Sequence, residues 1–240
     1  SSLGLVGSEM CIRDSRTAMV GKWHLGFDEN GYDNPLPGGP VDRGFDTYFG
    51  IRASTDIPPY FYIRDDRAVA PPSDRIEANS SEGWSPIQGA FWREGGIAPG
   101  LKLKDVLTRF TNEAVSVIEQ HAKSKTEKPL MLYLAYPAPH TPWLPSPEYL
   151  KSSKAGMYGD FLVMVDAMIG RVLKALKKSG MSDDTLLFFC SDNGPEGQAG
   201  KAPGSAGHLS GRKRSLLEGG IRVPGSVEWP GRVQAGRTTD

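Results

Sequence analysis

The chain has 240 residues in which 28 Lys+Arg balance 28 Asp+Glu, enough to bury a sizeable core and too evenly charged to present the basic field of a nucleic-acid binder. No run approaches the roughly 18 to 20 apolar residues of a membrane span. The two cysteines, Cys11 and Cys190, can build neither a disulfide framework nor a paired metal-ligand spacing, so the redox compartment stays open.

Residues 1–15 are set apart first. The stretch Leu5 to Asp14, "LVGSEMCIRD", reads as the translation of a transposon-end adapter used in sequencing libraries, and such segments are excluded from fold reasoning. The native chain is expected to begin near Arg16, which removes Cys11 and leaves Cys190 as its single thiol. The short apolar run Thr17-Ala18-Met19-Val20 then leads into Gly21 to Gly26, "GKWHLG". In an extended backbone Lys22 and His24 share one face and Trp23 points to the other. That pattern presents two nitrogen donors to an anion, although a lone Lys-x-His near a strand end is more often a solvated edge than a site.

From Phe27 to Gly100 the chain is rich in Pro, Gly, Asp and Tyr, without a sustained period, and is expected to form loops and short strands. Within it Tyr60, Phe61 and Tyr62, with Trp143 further on, are read as packing residues before pocket residues. From Leu103 the apolar positions Val106, Leu107, Phe110, Ala114, Val117 and Ile118 recur at helical intervals, with His121 on the edge of that face. "PLMLYLAYP", Pro129 to Pro137, fits a strand covered on both faces. A second helix is predicted from about Tyr158, burying Phe161, Leu162, Val165, Met168, Ile169, Val172, Leu173 and Leu176, and ending at Ser179-Gly180, where glycine can take the left-handed cap. Thr185 to Cys190 reads as another buried strand, with Cys190 as a small core thiol. Helix, buried strand, helix, buried strand predicts a parallel α/β sheet.

Ligands of open α/β sheets bind outside the carboxyl ends of the strands. His140 follows the first buried strand in Ala138-Pro139-His140-Thr141-Pro142, and Asp192 and Asn193 follow the second. One sheet end should therefore collect all three. Asp192 and Asn193 offer hard oxygen donors suited to calcium or magnesium, but calcium takes about six to eight oxygens, so two are too few. Past Gly194 a Gly-rich loop reaches "SGRKRSLLEGGIRVP", Ser210 to Pro224. Gly207 to Lys213 misses the phosphate-loop spacing by one residue, yet Lys213 is placed to meet a tetrahedral anion as a point charge. Arg212 and Arg214 are as readily solvated as bound to the same anion, and His208 is expected to face solvent.

With these residues assembled, the sequence resembles the type I, formylglycine-dependent sulfatases of the alkaline phosphatase superfamily. "TAMVGKWHLG", "RGFDTYFG", "YPAPHTPW", "DDTLLFFCSDNGP" and "GRKRSLLEGGIRVP" followed by "WPG" occur in the family's order. The resemblance implies an alkaline-phosphatase-like α/β fold, with a mixed, mainly parallel sheet flanked by helices. It implies that Lys22 and His24 contact a hydrated formylglycine, that His140 and Lys213 hold the sulfate and the leaving oxygen, and that Asp192 and Asn193 bind a divalent cation, usually Ca2+ with Mg2+ as the alternative. In the family's reaction a gem-diol oxygen attacks sulfur, the alcohol departs, and loss of sulfate regenerates the aldehyde, with His24 as the candidate base. The implied substrate is a sulfated small molecule or sulfated glycan, and the implied compartment is periplasmic, secreted or lysosomal.

The sequence also departs from the family. The Cys-x-Pro/Ala-x-Arg motif that supplies the nucleophile, and an upstream Asp-Asp metal pair, do not occur: Cys11-Ile-Arg-Asp-Ser and Cys190-Ser-Asp-Asn-Gly both lack the pattern. Residues 16–240 are accordingly expected to be a fragment of a catalytic domain, inactive by itself, whose parent turns over sulfate esters. Two other readings are carried forward: a phosphodiesterase or phosphonate hydrolase of the same superfamily, and a non-catalytic relative that binds sulfated ligands.

Overall fold

The computed structural model describes residues 14–197 and 204–238. The segment 1–15, Cys11 included, lies outside the described residues apart from Asp14 and Ser15.

The central sheet is built around β1 (Arg16–Lys22), which pairs in parallel with β2 (Thr47–Ile51) on one side and with Leu130–Ala135 on the other. Two short strands, β3 (Ile63–Arg64) and β4 (Arg67–Ala68), add antiparallel beyond β2. A separate hairpin joins β5 (Asp74–Ile76) to β6 (Gly95–Ile97). With Leu130–Ala135 as β7, the sheet order is β4-β3-β2-β1-β7. The sheet is mixed and mainly parallel, as the alternation of apolar runs and helical periods implies.

Alternation along β1 sorts the core into two halves. Val20, with Phe49 and Ile51 of β2, packs against Val106 and Phe110 of helix α1 (Val106–Ser124), with Leu132 and Leu134 of β7 closing the cluster. Met19 points to the other face, where Leu36, Tyr48, Phe61 and Ile63 are almost wholly buried under loop segments. A second helix, α2 (Gly156–Lys178), packs on α1 through Leu107, Phe161, Met164, Met168 and Trp143. It ends where the period predicts, with Gly180 at φ 70° just beyond. Trp143, Tyr60 and Phe61 are all core residues, in keeping with the packing reading.

The segment leading into α2 is tied down by Asp160, which accepts backbone N–H bonds from Lys151 (2.8 Å) and Ser153 (2.9 Å). These bonds hold its carboxyl below the ordinary range. A depressed folded-state value makes this contribution complete above the unfolded carboxylate range, near pH 4, and lost as pH falls through the lower folded value. Asp160→Asn therefore lowers the melting temperature at pH 7, and the gap from the wild type closes in acid. Melting curves at pH 7 and pH 2.5 check this: an undiminished gap in acid contradicts it.

Three sequence expectations are corrected. First, β7 is not covered on both faces: Met131 and Tyr133 are exposed while Leu132 and Leu134 pack inward, because among the described residues β7 is an edge strand with α1 against one face only. Second, β8 (Leu187–Cys190) does not join this sheet. It pairs antiparallel with β9 (Gly225–Glu228), so Phe188 and Phe189 are 65% and 53% exposed and Cys190 is exposed rather than a core thiol. No helix or further strand layer packs over this two-stranded unit among the described residues. Third, the buried stripe of α2 runs through Phe161, Met164, Met168 and Ala175, leaving Leu162 and Leu173 partly exposed, because only the side turned to α1 and the Trp143 loop meets a neighbour. No helix among the described residues is long and apolar enough to cross a membrane.

Candidate active site

Because β2, β1 and β7 are parallel, their carboxyl ends share one rim. Lys22 is the last residue of β1, Asp56 lies five residues past the end of β2, and His140 five past the end of β7. The chain beyond β1 stays zipped to the end of β2: Trp23 N–H donates to Ile51 O (3.1 Å) and His24 N–H to Arg52 O (2.9 Å). Strand alternation alone does not bring Lys22 and His24 together. His24 sits past the strand in left-handed backbone, φ 61°, which redirects its side chain. Trp23 is the anchor, packed against the Met19 cluster with its indole N–H donating to Gly26 O at 2.9 Å.

Four of the six sequence-chosen groups sense one another electrostatically. His24 is held below the ordinary imidazole range, first by burial, then by the positive charge of Lys22, with His140 and Lys213 acting in the same direction and Asp56 opposing. Burial likewise lowers His140, which faces Asp56, Lys213 and Lys22. Lys213 comes from the loop before helix α3 (Glu218–Ile221), and its backbone N–H donates to Pro195 O at 3.1 Å. That bond docks the loop onto the segment carrying Asp192 and Asn193. Lys22 Nζ lies 3.8 Å from Asp192 Oδ2, so Asp192 reaches the rim although the strand before it belongs to another sheet.

The cation question is decided by counting donors. The Asp192 side chain is 73% exposed and faced by Lys22, and Asn193 Nδ2 donates to Gly194 O at 2.9 Å. Among the described residues no three His, Cys, Asp or Glu side chains form a cluster able to hold a metal ion. The pair has the hardness calcium or magnesium prefers but falls well short of about six ligands, so these residues alone do not make a complete divalent-cation centre.

Asp56 and Arg93 were not chosen from the sequence. Asp56 is 4% exposed, with Oδ1 3.6 Å from His140 Nδ1 and Oδ2 2.5 Å from Arg93 Nη1. A signal existed: "TYFGIRASTD" is a strand followed by Ser-Thr-Asp, but the strand is short and lies in the aperiodic region. Elsewhere in the Gly-rich loop, Arg212 does not face solvent: it donates to Gly204 O at 3.0 Å. Arg214 is paired with Glu196 at 2.7 Å. His208 is exposed, as expected.

Comparison with known proteins identifies the family. The Sulfatase family model matches residues 13–240. The chain is 30% identical to an N-acetylgalactosamine-6-O-sulfatase of Bacteroides thetaiotaomicron over 91% of its own length and 50% of that protein. It is 32% identical to the N-acetylgalactosamine-6-sulfatase of Mus musculus over 92% of its length and 39% of that protein. A solved structure from work on glycosaminoglycan metabolism in Bacteroides thetaiotaomicron superposes with a TM-score of 0.74 at 28% identity, covering 92% of this chain and 53% of the other. The chain thus spans about half the length of the relatives it matches, or less. The family model covers nearly the whole described chain and the fold is shared with a solved relative, and the chain belongs to the sulfatases.

Proposed function

We propose that the full-length protein containing this chain hydrolyses sulfate monoesters, and that its substrate class is a sulfated saccharide. The observation that carries this reading is the convergence of Lys22, His24, His140 and Lys213 on the carboxyl rim of the sheet. A sulfate ester places fixed negative charge beside these groups and develops more on the leaving oxygen as the S–O bond breaks. Cationic donors held in place by a folded framework stabilise that charge without reorganising. Lys22 and Lys213 are proposed to hold the sulfate oxygens. His140 is proposed to face the leaving oxygen. His24, kept neutral around pH 7 by burial and by Lys22, is proposed to accept a proton.

The sulfatase nucleophile, a formylglycine made from cysteine, supplies attack at sulfur in the family, and no residue of this chain matches its motif. A divalent cation, proposed as Ca2+ with Mg2+ as the alternative, would draw two oxygens from Asp192 and Asn193. The saccharide class is drawn from the relatives, which are named for N-acetylgalactosamine 6-sulfate. Sulfate release by the full-length protein from 4-nitrophenyl sulfate and from a 6-sulfated N-acetylgalactosamine saccharide tests the reading, beside bis(4-nitrophenyl) phosphate. Turnover of the sulfates supports it. Turnover of the phosphate diester alone overturns it in favour of the phosphodiesterase.

A further inference from the structure

Beneath the rim lies a charged pair that none of these roles absorbs. Asp56 is a carboxylate with only 6% of its side chain exposed, a placement that costs free energy unless partners compensate. One oxygen, Oδ2, is taken by Arg93 Nη1 at 2.5 Å, and Arg93 grips the same residue again through its backbone, donating from N and from Nη1 to Asp56 O at 3.2 Å each. The other oxygen, Oδ1, is buried and has no hydrogen-bond partner among the described residues. It faces His140 Nδ1 at 3.6 Å, beyond hydrogen-bond reach but well within strong electrostatic range. Nδ1 already lies 2.9 Å from Thr141 O. A carbonyl can only accept, so Nδ1 carries the proton and Nε2 is the nitrogen left for the pocket.

We propose that Asp56, clamped by Arg93, is a positioning residue for His140: its unbonded oxygen holds the Nδ1–H edge inward and balances the imidazolium form that lets Nε2 donate to an anionic oxygen. The groups around His140 make the need plain. Burial, Lys22 and Lys213 all disfavour a third positive charge at the rim, while Asp56 and the Thr141 carbonyl favour it. Asp56 is the one carboxylate acting on His140 in that direction among these groups. A neutral His140 with its proton on Nδ1 would turn a lone pair, rather than a donor, towards a sulfate or alkoxide oxygen. The proposal deepens the sulfatase reading and rests on it for the role of Nε2, but the coupling between Asp56 and His140 is a property of the free protein.

The test is therefore read on the protein before it is read on turnover. In the full-length protein labelled at histidine, the His140 ring resonances, assigned with His140→Gln, are titrated by NMR in wild type, Asp56→Asn and Asp56→Glu, with Asp56→Ser as the second neutral variant should the asparagine variant not fold. The expected result is a His140 midpoint lowered by about one pH unit in the neutral variant and restored towards wild type by glutamate. An unmoved midpoint overturns the proposal whatever the substrate proves to be. Kinetics then test the catalytic half. Asp56→Asn lowers kcat/KM for 4-nitrophenyl sulfate about tenfold, and the same change has little further effect in a His140→Gln background. Equal losses in the two backgrounds would show that Asp56 acts structurally and not through His140.

Discussion

Lys22→Ala in the full-length protein lowers kcat/KM for a sulfate ester by about 10²- to 10³-fold, the usual loss when one fixed donor to a developing oxyanion is removed. Lys22 is suited to so large an effect because its ammonium is not a freely solvated surface charge. Its side chain is 19% exposed, it ends β1, which is flanked by parallel strands on both sides, and it faces Asp192 at 3.8 Å as well as the rim histidines. Removing it strips one positive charge from beside both histidines. Their titration midpoints should then rise, since Lys22 lowers each of them. Activity is thus expected to fall at every pH, with the histidine-dependent limb displaced upward. Steady-state kinetics between pH 5 and 9, with circular dichroism to verify folding, read both effects. Arg67→Ala, at the far edge strand of the same sheet, serves as a surface control. A loss of less than threefold for Lys22→Ala would remove this residue from the proposed anion site.

Gly21→Ala is expected to destabilise the protein by about 4 kcal/mol, enough to prevent accumulation of folded material in many backgrounds. Two costs combine there. Gly21 has φ +124°, where a side chain is strained, and an added Cβ would lie 2.0 Å from the carbonyl oxygen of Ala135 on β7. That neighbour is backbone in a paired strand, so it cannot swing aside. The chain gains in exchange a close three-strand ladder, with Tyr48 OH donating to Gly21 O at 3.1 Å, just before the residue that carries the ammonium. Gly26→Ala separates the two costs: φ is +94° but nothing lies within 4 Å of the added carbon, so only backbone strain remains, about 1 kcal/mol. Thermal melts of the two variants decide the point. Equal destabilisation would mean that the contact with Ala135 contributes nothing.

The residues proposed to bear the chemistry are easier to find than their surroundings. Lys22, His24, His140 and Lys213 stood out because polar groups next to glycine, or just beyond an apolar strand, have few structural reasons to be there. The two long helices declared themselves by period, since a face that must be buried every 3.6 residues leaves its mark locally. β7 and β8 were read correctly as strands from their nearly continuous apolar runs but wrongly as covered on both faces. An apolar run reports that a residue can be buried, whereas coverage depends on what other segments lie over it. Asp56 escaped notice for a similar reason: a carboxylate in a Ser-Thr-Asp turn looks solvated until the fold sets Arg93, 37 positions away, against one oxygen and His140 against the other.

Amino-acid order alone was thus sufficient for the family and the helices, and it singled out the four basic groups proposed for the rim; all of these rest on short-range patterns in the chain. Which face of each strand is covered, the left-handed turn that aims His24, the approach of Asp192 to Lys22 and the burial of Asp56 became visible only in three dimensions. Each of these depends on the distance between groups far apart along the backbone, and that distance is set by packing rather than by spacing.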